Sequence, residues 1–249
     1  MIVVQIEGNI GSGKSTFIKY FKEKLCQEKN TKLTNLKIKF IDEPLSDWMN
    51  INNYNNSKNI VDNNCNINND NDNNNNYNIF NLYYKNPKQY SELFQTFAFF
   101  TLLNVNLKNY FENVDLIIME RSLYTSVYCF IKLLLDKEYV TPIFCTMMEN
   151  VFEKFKDKII HPNIVVYFKA DDMDILMKRI QNRGRVEEKS ITKQYLTNLN
   201  DKYNEYINTH FKEIKKCIIP VNTITTKTEE ELELKYFNDV KNNILEMLE

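Results

Sequence analysis

The sequence predicts an α/β protein, a five-stranded parallel sheet flanked by helices, and three observations lead there. An apolar, β-branched run at the start passes into a glycine loop and then into an amphipathic helix. Further strand-like runs alternate with helical patterns to the end of the chain, which implies parallel strands joined by covering helices. The 249 residues are enough for one such domain with a sizeable core, so residues 1–249 are read as a single domain.

Residues 2–7 form the first strand, and residues 14–29 a helix with Phe17, Ile18, Phe21 and Leu25 on one face. Residues 36–42 alternate as a second strand, which Pro44 ends. More than half of residues 50–81 are asparagine, a tract too polar to offset its ordering entropy, so it is expected to be a flexible surface insertion on which function does not depend. After Pro87 a long helix reaches about residue 112, apolar nearly all round from Phe94 to Leu107 and therefore buried on more than one side. Residues 115–119 are a third strand, 122–136 and 141–156 two helices, 164–169 a fourth strand, and 172–183 and 192–211 two more helices. Residues 218–221 make the last strand and 229–248 the closing helix.

Thirty-three acidic against 32 basic residues leave a formal charge of −1, without the bulk attraction to phosphate backbones that a nucleic-acid coat protein needs. Lys132 interrupts the most apolar helical stretch, so no segment qualifies as a membrane span. Five cysteines, odd in number and never in a C-x-x-C pair, argue against a disulfide framework and a zinc site. The first residues lack a basic n-region and run straight into the motif at Gly8, so a cytoplasmic location is expected.

Of only four glycines, Gly8, Gly11 and Gly13 fall within six residues, and Gly184 sits between Arg183 and Arg185. An ABC-type signature and a GTPase D-x-x-G switch both need glycines this chain lacks. Gly8-Asn9-Ile10-Gly11-Ser12-Gly13-Lys14-Ser15 is a full G-x-x-x-x-G-K-[ST] motif between a strand and a helix, which makes the expected fold P-loop NTP hydrolase-like. Its backbone N–H groups and the helix N-terminus would cradle nucleotide phosphates, Lys14 would reach the β and γ oxygens, and Ser15 would hold Mg²⁺.

Three other places add charge. The third strand delivers Glu120-Arg121-Ser122 at its carboxyl end, where open α/β sheets bind ligands. There Glu120 suits a Mg²⁺ carboxylate and Arg121 a cation near the transferred phosphoryl, or the two form a strand-end ion pair. The second strand ends at Asp42-Glu43-Pro44, where a carboxylate could take the proton of an attacking hydroxyl or lie on the surface before a turn. Arg179, Arg183 and Arg185 around Gly184 suit an arginine-rich lid that closes over a triphosphate, or a solvated charge run.

Together these residues resemble the deoxyribonucleoside kinase family, the deoxycytidine, deoxyguanosine and thymidine type with a P-loop kinase fold. The resemblance rests on residues 6–16 through Thr16, Asp42-Glu43-Pro44 with Trp48, Phe94-Gln95-Thr96, Glu120-Arg121-Ser122, and Arg183-Gly184-Arg185-x-Glu187-Glu188. It implies that Glu43 activates a 5′-hydroxyl, Arg121 holds that hydroxyl and the incoming phosphate, and Gln95 pairs with the base edge. Phe94 and Phe130 would sandwich the base, Trp48 would wall the pocket, and Tyr84 and Glu188 would bind the 3′-hydroxyl, with the tyrosine crowding a 2′-hydroxyl. By periodicity alone Phe94 and Phe130 read as core.

Leu102 and Ser126 stand where the deoxycytidine and purine branches carry an arginine and an aspartate, so pyrimidine deoxynucleosides, thymidine included, are the expected acceptors in nucleotide salvage. Two alternatives remain. A thymidylate-type monophosphate kinase shares the P-loop but places an arginine where Asp42 stands, and that acid would repel a dianionic acceptor. A non-catalytic relative would tolerate loss of Lys14, Glu43 or Arg121, all of which are present. The apolar helices, and the family's habit, suggest a homodimer.

Overall fold

The computed structural model describes residues 1–28, 31–51, 78–107, 111, 113–221 and 229–249. Five parallel strands make one sheet: β1 (Ile2–Gly8), β2 (Ile38–Ile41), β3 (Leu116–Glu120), β4 (Ile164–Ala170) and β5 (Lys215–Val221), in the order β2-β3-β1-β4-β5. Val4 of β1 lies opposite Ile118 of β3 on one side and Ile164 of β4 on the other. Every residue of β1 is buried, as its continuous apolar run requires of a central strand covered on both faces.

The period of two sends Ile2, Val4 and Ile6 to the face packed by Phe17 and Phe21 of helix α1 (Lys14–Gln27). Val3, Gln5 and Glu7 point to the opposite face. The helices α2 (Leu45–Met49), α3 (Ile79–Lys85) and α4 (Pro87–Asn106) follow β2. After β3 come α5 (Leu123–Thr125), a π-helical segment Ser126–Ile131 and α6 (Lys132–Asp136), then α7 (Pro142–Phe155). The helices α8 (Met173–Arg183) and α9 (Lys193–His210) are joined through a 3₁₀ turn at Glu187–Ser190, and α10 (Glu229–Glu246) closes the fold. Among the described residues no helix is long and apolar enough to cross a membrane.

The sheet and its five strands stand where the sequence predicts them, with shifted ends: β2 is shorter and β5 begins three residues earlier than expected, at Lys215. α4 ends at Asn106 rather than near residue 112. The predicted helix 122–136 contains the π segment, which a periodicity argument does not register. The asparagine-rich insertion needs a correction at its C-terminal end. Asn78 caps α3 by accepting from the Asn81 N–H, and Ile79 and Phe80 are buried, so the last residues assigned to the tract are structural. Residues 52–77, and Lys29 at the predicted end of α1, lie outside the described residues.

Candidate active site

The strand order puts β1 between β3 and β4, and the carboxyl ends of β1, β2 and β3 open on one cleft of about 490 Å³. The loop after β1 wraps its floor. Gly8 has φ +146° and a Cβ there would lie 2.8 Å from the Phe168 carbonyl oxygen, so only glycine fits. Gly11, at φ +78°, lets α8 press on the loop, since a Cβ would meet Leu176 O and Ile180 Cγ1 at 3.0 Å. Gly13, at φ +101°, is the N-cap of α1, so the helix N-terminus faces the cleft.

The expected loop residues divide in two. Ile10, Gly11, Ser12, Gly13, Lys14, Ser15 and Thr16 line the cleft. Gly8 and Asn9 do not: Asn9 is fully buried behind the loop, accepting from the Ile10 N–H and donating to Leu196 O of α9 at 2.8 Å. Lys14 Nζ donates to the Asn9 carbonyl at 2.9 Å and lies 3.9 Å from Glu120 Oε1. Burial, then the neighbouring Arg121 cation, bring its ammonium down to about 8. Ser15 Oγ donates to Glu120 Oε1 at 3.0 Å, bringing together two hard oxygen ligands as a Mg²⁺ carried by a nucleotide requires.

Arg121 sits at the end of β3 with φ +60°, a left-handed backbone rare for a side chain of this size. Its N–H donates to Ile6 O at 3.0 Å, which fixes the turn to β1. The guanidinium lies over the Phe130 ring, 4.7 Å from its centre, and Nε is 3.2 Å from Glu43 Oε1. That contact is an ion pair without hydrogen-bond alignment. Burial pushes the Glu43 carboxyl up, and Arg121 works against it. Asp42 is exposed and outside the cleft, so the expected repulsion of a monophosphate by Asp42 has no geometric basis; of the two acids, Glu43 is the one that lines the cleft.

Aromatic rings wall this end. Trp48 meets Phe94 edge-on at 5.4 Å and its Nε1 donates to Thr101 Oγ1 at 2.9 Å, while Tyr83 stacks on Phe94 at 4.7 Å. Phe94, Phe130, Leu102, Ser126 and Tyr84 all line the cleft, as does Gln95, whose amide hydrogen-bonds to no other described residue. Ser126 Oγ is also buried without a partner. Burial holds the Tyr84 phenol well above its usual range, so it is a neutral hydrogen-bonding group.

The arginines behave differently from the expected lid. Arg179 lines the cleft with its Nη1 already engaged, donating to Ser12 O of the loop at 3.2 Å. Arg183 and Arg185 line the cleft, but both are bound to Glu188: Arg183 Nη2 at 2.5 Å and Arg185 Nη1 at 3.2 Å. The Glu188 carboxylate, expected to meet a sugar hydroxyl, is therefore occupied by two guanidinium groups. Asn78 Nδ2 donates to Glu187 Oε1 and Ser190 Oγ to Tyr84 O, which ties the turn after the arginines to α3.

Sequence reasoning missed several lining residues. Phe80 lies within the stretch read as the asparagine-rich tract and Tyr83 just after it, and Tyr195, Thr125, Pro220 and Tyr236 come from elements whose approach is not local. Glu7 was visible as a charge inside an apolar strand, a signal that calls for buried partners.

A family model for deoxynucleoside kinases matches residues 4–249. A mitochondrial deoxyguanosine kinase from Xenopus laevis is 26% identical over 218 residues, 82% of this chain and 72% of its own. A fowlpox virus protein described as a probable deoxycytidine kinase is 26% identical over 222 residues, 88% of this chain and 77% of its own. The solved structure of a deoxyadenosine kinase from M. mycoides with dCMP and dCDP bound superposes with a TM-score of 0.70 at 18% identity, covering 98% of this chain and all of that one, a likeness of fold.

Proposed function

Because the chain belongs to the deoxynucleoside kinase family, a family of ATP-dependent phosphotransferases, we propose that it moves the γ-phosphoryl group of ATP to the 5′-hydroxyl of a deoxynucleoside. It prefers pyrimidines, thymidine included, and serves nucleotide salvage. The observation that carries this is one cleft with a phosphate loop at one end and, at the other, a buried Glu43–Arg121 pair inside aromatic walls.

In this reading the loop N–H groups and Lys14 hold the triphosphate, with Arg183 and Arg185 released toward it as the turn closes. Ser15 and Glu120 would hold Mg²⁺, which neutralises charge on the β and γ oxygens. Arg121 orients the 5′-oxygen and the transferred group. As the O5′–P bond forms and the bond from P to the ADP oxygen breaks, the hydroxyl proton passes to Glu43, whose raised affinity for a proton suits a base that must receive one. Trp48, Phe94 and Phe130 hold the base, Gln95 reads its edge, and Tyr84 with Glu188 faces the sugar.

The pyrimidine preference rests on Leu102 and Ser126, which leave an apolar wall with one free hydroxyl. Sequence likeness does not choose the base, since the relatives named above act on different ones. We read residues 1–249 as one domain, supported by the single sheet. A homodimer is supported by Leu93 and Phe100 of α4 and Ile143 and Met147 of α7, all exposed, on helices joined where Glu92 accepts from the Thr141 N–H and hydroxyl. The free cysteines Cys26, Cys129, Cys145 and Cys217 fit a reducing cytoplasm.

The test is ATP, Mg²⁺ and a panel of deoxynucleosides and their monophosphates, ranked by kcat/KM. Thymidine and deoxycytidine should lead. Turnover of thymidine monophosphate but of no nucleoside would replace this reading with the monophosphate kinase, and turnover of none would leave a structural role.

A further inference from the structure

Glu7 belongs to no part of the proposed chemistry, yet it is a carboxylate at 0% exposure in the strand that delivers the phosphate loop. Its Oε1 takes both of its hydrogen bonds, from Gln5 Nε2 at 2.5 Å and from the Thr125 hydroxyl. Gln5 continues the chain to Tyr206 of α9 at 3.1 Å. Oε2 is buried with no partner. Hydrogen bonding to these donors does not require a charge here, because a glutamine carbonyl would accept from both, at the cost of one amide N–H₂ without an acceptor where Oε2 now lies. What the carboxylate adds is its charge.

The cations that charge serves are on the page. Arg121 is bonded through its N–H to Ile6, the residue beside Glu7, and Lys14 stands at the end of the loop that Glu7 precedes. Glu43 and Glu120 also face these two cations, but both line the cleft, where the proposed reaction would engage Glu43 with the acceptor hydroxyl and Glu120 with Mg²⁺. Glu7 lies outside the cleft lining. Burial pushes its carboxyl up to about 7, while Arg121 and Lys14 pull it down.

We infer that Glu7 is a positioning residue, the counter-charge beneath the site that keeps Lys14 and Arg121 aimed while the charges on Glu43 and Glu120 are engaged with substrate. This rests on the phosphoryl-transfer reading above. Wild-type turnover tests that reading, and the ratio of variant to wild type tests this one.

The experiment compares the full chain with Glu7→Gln, Glu7→Asp and Gln5→Met, measuring Tm and the kinetics for ATP and thymidine at about pH 8, where Glu7 is ionised. Glu7→Gln keeps both donors satisfied and removes the charge, leaving one buried amide N–H₂ without an acceptor, so it should fold with a Tm near that of wild type and lose roughly tenfold or more in kcat, with both KM values within about threefold. Glu7→Asp should recover most of that kcat, and Gln5→Met, which removes one donor outside the cleft lining and leaves the carboxylate, should stay within about threefold of wild type. A folded Glu7→Gln that turns over within about twofold of wild type overturns the inference, as does a Gln5→Met that loses as much as Glu7→Gln. If Glu7→Gln does not fold, the remaining pair still decides: Gln5→Met slower than Glu7→Asp overturns it.

Discussion

Replacing Glu43 by glutamine removes the proton acceptor and half of an ion pair in one step, and the structure separates the two effects. Loss of a positioned general base lowers kcat by about 10²–10⁴-fold, or roughly 3–5 kcal/mol of barrier. Loss of the ion pair acts on Arg121, whose guanidinium is 3.2 Å from Glu43 and lies 4.7 Å over the Phe130 ring. The ring contact remains in the variant and contributes about 0.5–2 kcal/mol, so the arginine keeps its place and binding changes little. Chemistry should dominate: kcat falls by at least about a hundredfold while the thymidine KM moves by less than about threefold. A coupled assay of ADP release, run from acid to alkaline pH, reads both. Burial raises the Glu43 carboxyl, so wild-type kcat should climb with pH as the base form fills, and Glu43→Gln should lose that limb. A variant retaining more than about a third of wild-type kcat, or the same acid limb, refutes the assignment of the base.

Gly8→Ala forces a Cβ to 2.8 Å from the Phe168 carbonyl at φ +146° and should cost at least about 1–3 kcal/mol in urea unfolding; an unchanged midpoint would contradict the loop geometry. Thr101→Val strands the Trp48 indole N–H and should lower stability by about 1–3 kcal/mol, a loss that shrinks when Trp48→Phe is already present. The native state holds a proton on Glu7 that the unfolded chain releases between pH 4.5 and about 7, so wild type loses stability as pH rises through that window. Glu7→Gln should remove that slope, and its stability relative to wild type in denaturant melts should rise from pH 5 to pH 8 by up to about 3 kcal/mol; parallel curves would mean Glu7 does not titrate there. Phe100→Asp with Ile143→Asp should turn a dimer into a monomer by light scattering, and a wild type that runs as a monomer removes the premise.

The parts of the site that were legible in the sequence are those whose requirement is local. The glycine spacing, Lys14 and Ser15 follow from what a backbone needs to approach a phosphate, and Glu43 and Arg121 from strand ends that a parallel sheet gathers at one edge. Phe80 was obscured because asparagine dominates the composition around it, although its ring belongs to the aromatic cluster with Trp48 and Phe94. Arg179 and Arg183 share a helix face by spacing and both line the cleft, but that α8 packs on Gly11 and hands Arg179 to the Ser12 carbonyl is a tertiary contact no local pattern gives. The pairing of Arg185 with Glu188 was readable, since residues three apart in a turn are neighbours. The network around Glu7 was not, because Thr125 reaches its carboxylate, and Tyr206 reaches Gln5, only when α5 and α9 close over the sheet.

The wider winding over Ser126–Ile131 carries a lesson about tolerance to length changes. Ser126 and Phe130 both reach the aromatic-walled end of the cleft from this stretch. Shortening it by one amino acid to restore ordinary pitch would swing everything downstream by about 100°, taking the Phe130 ring off Arg121 without altering a single contact residue. Single-residue deletions here should silence the protein where most surface loops would absorb them, which makes this coil a sharper boundary on viable variants than the side chains it displays.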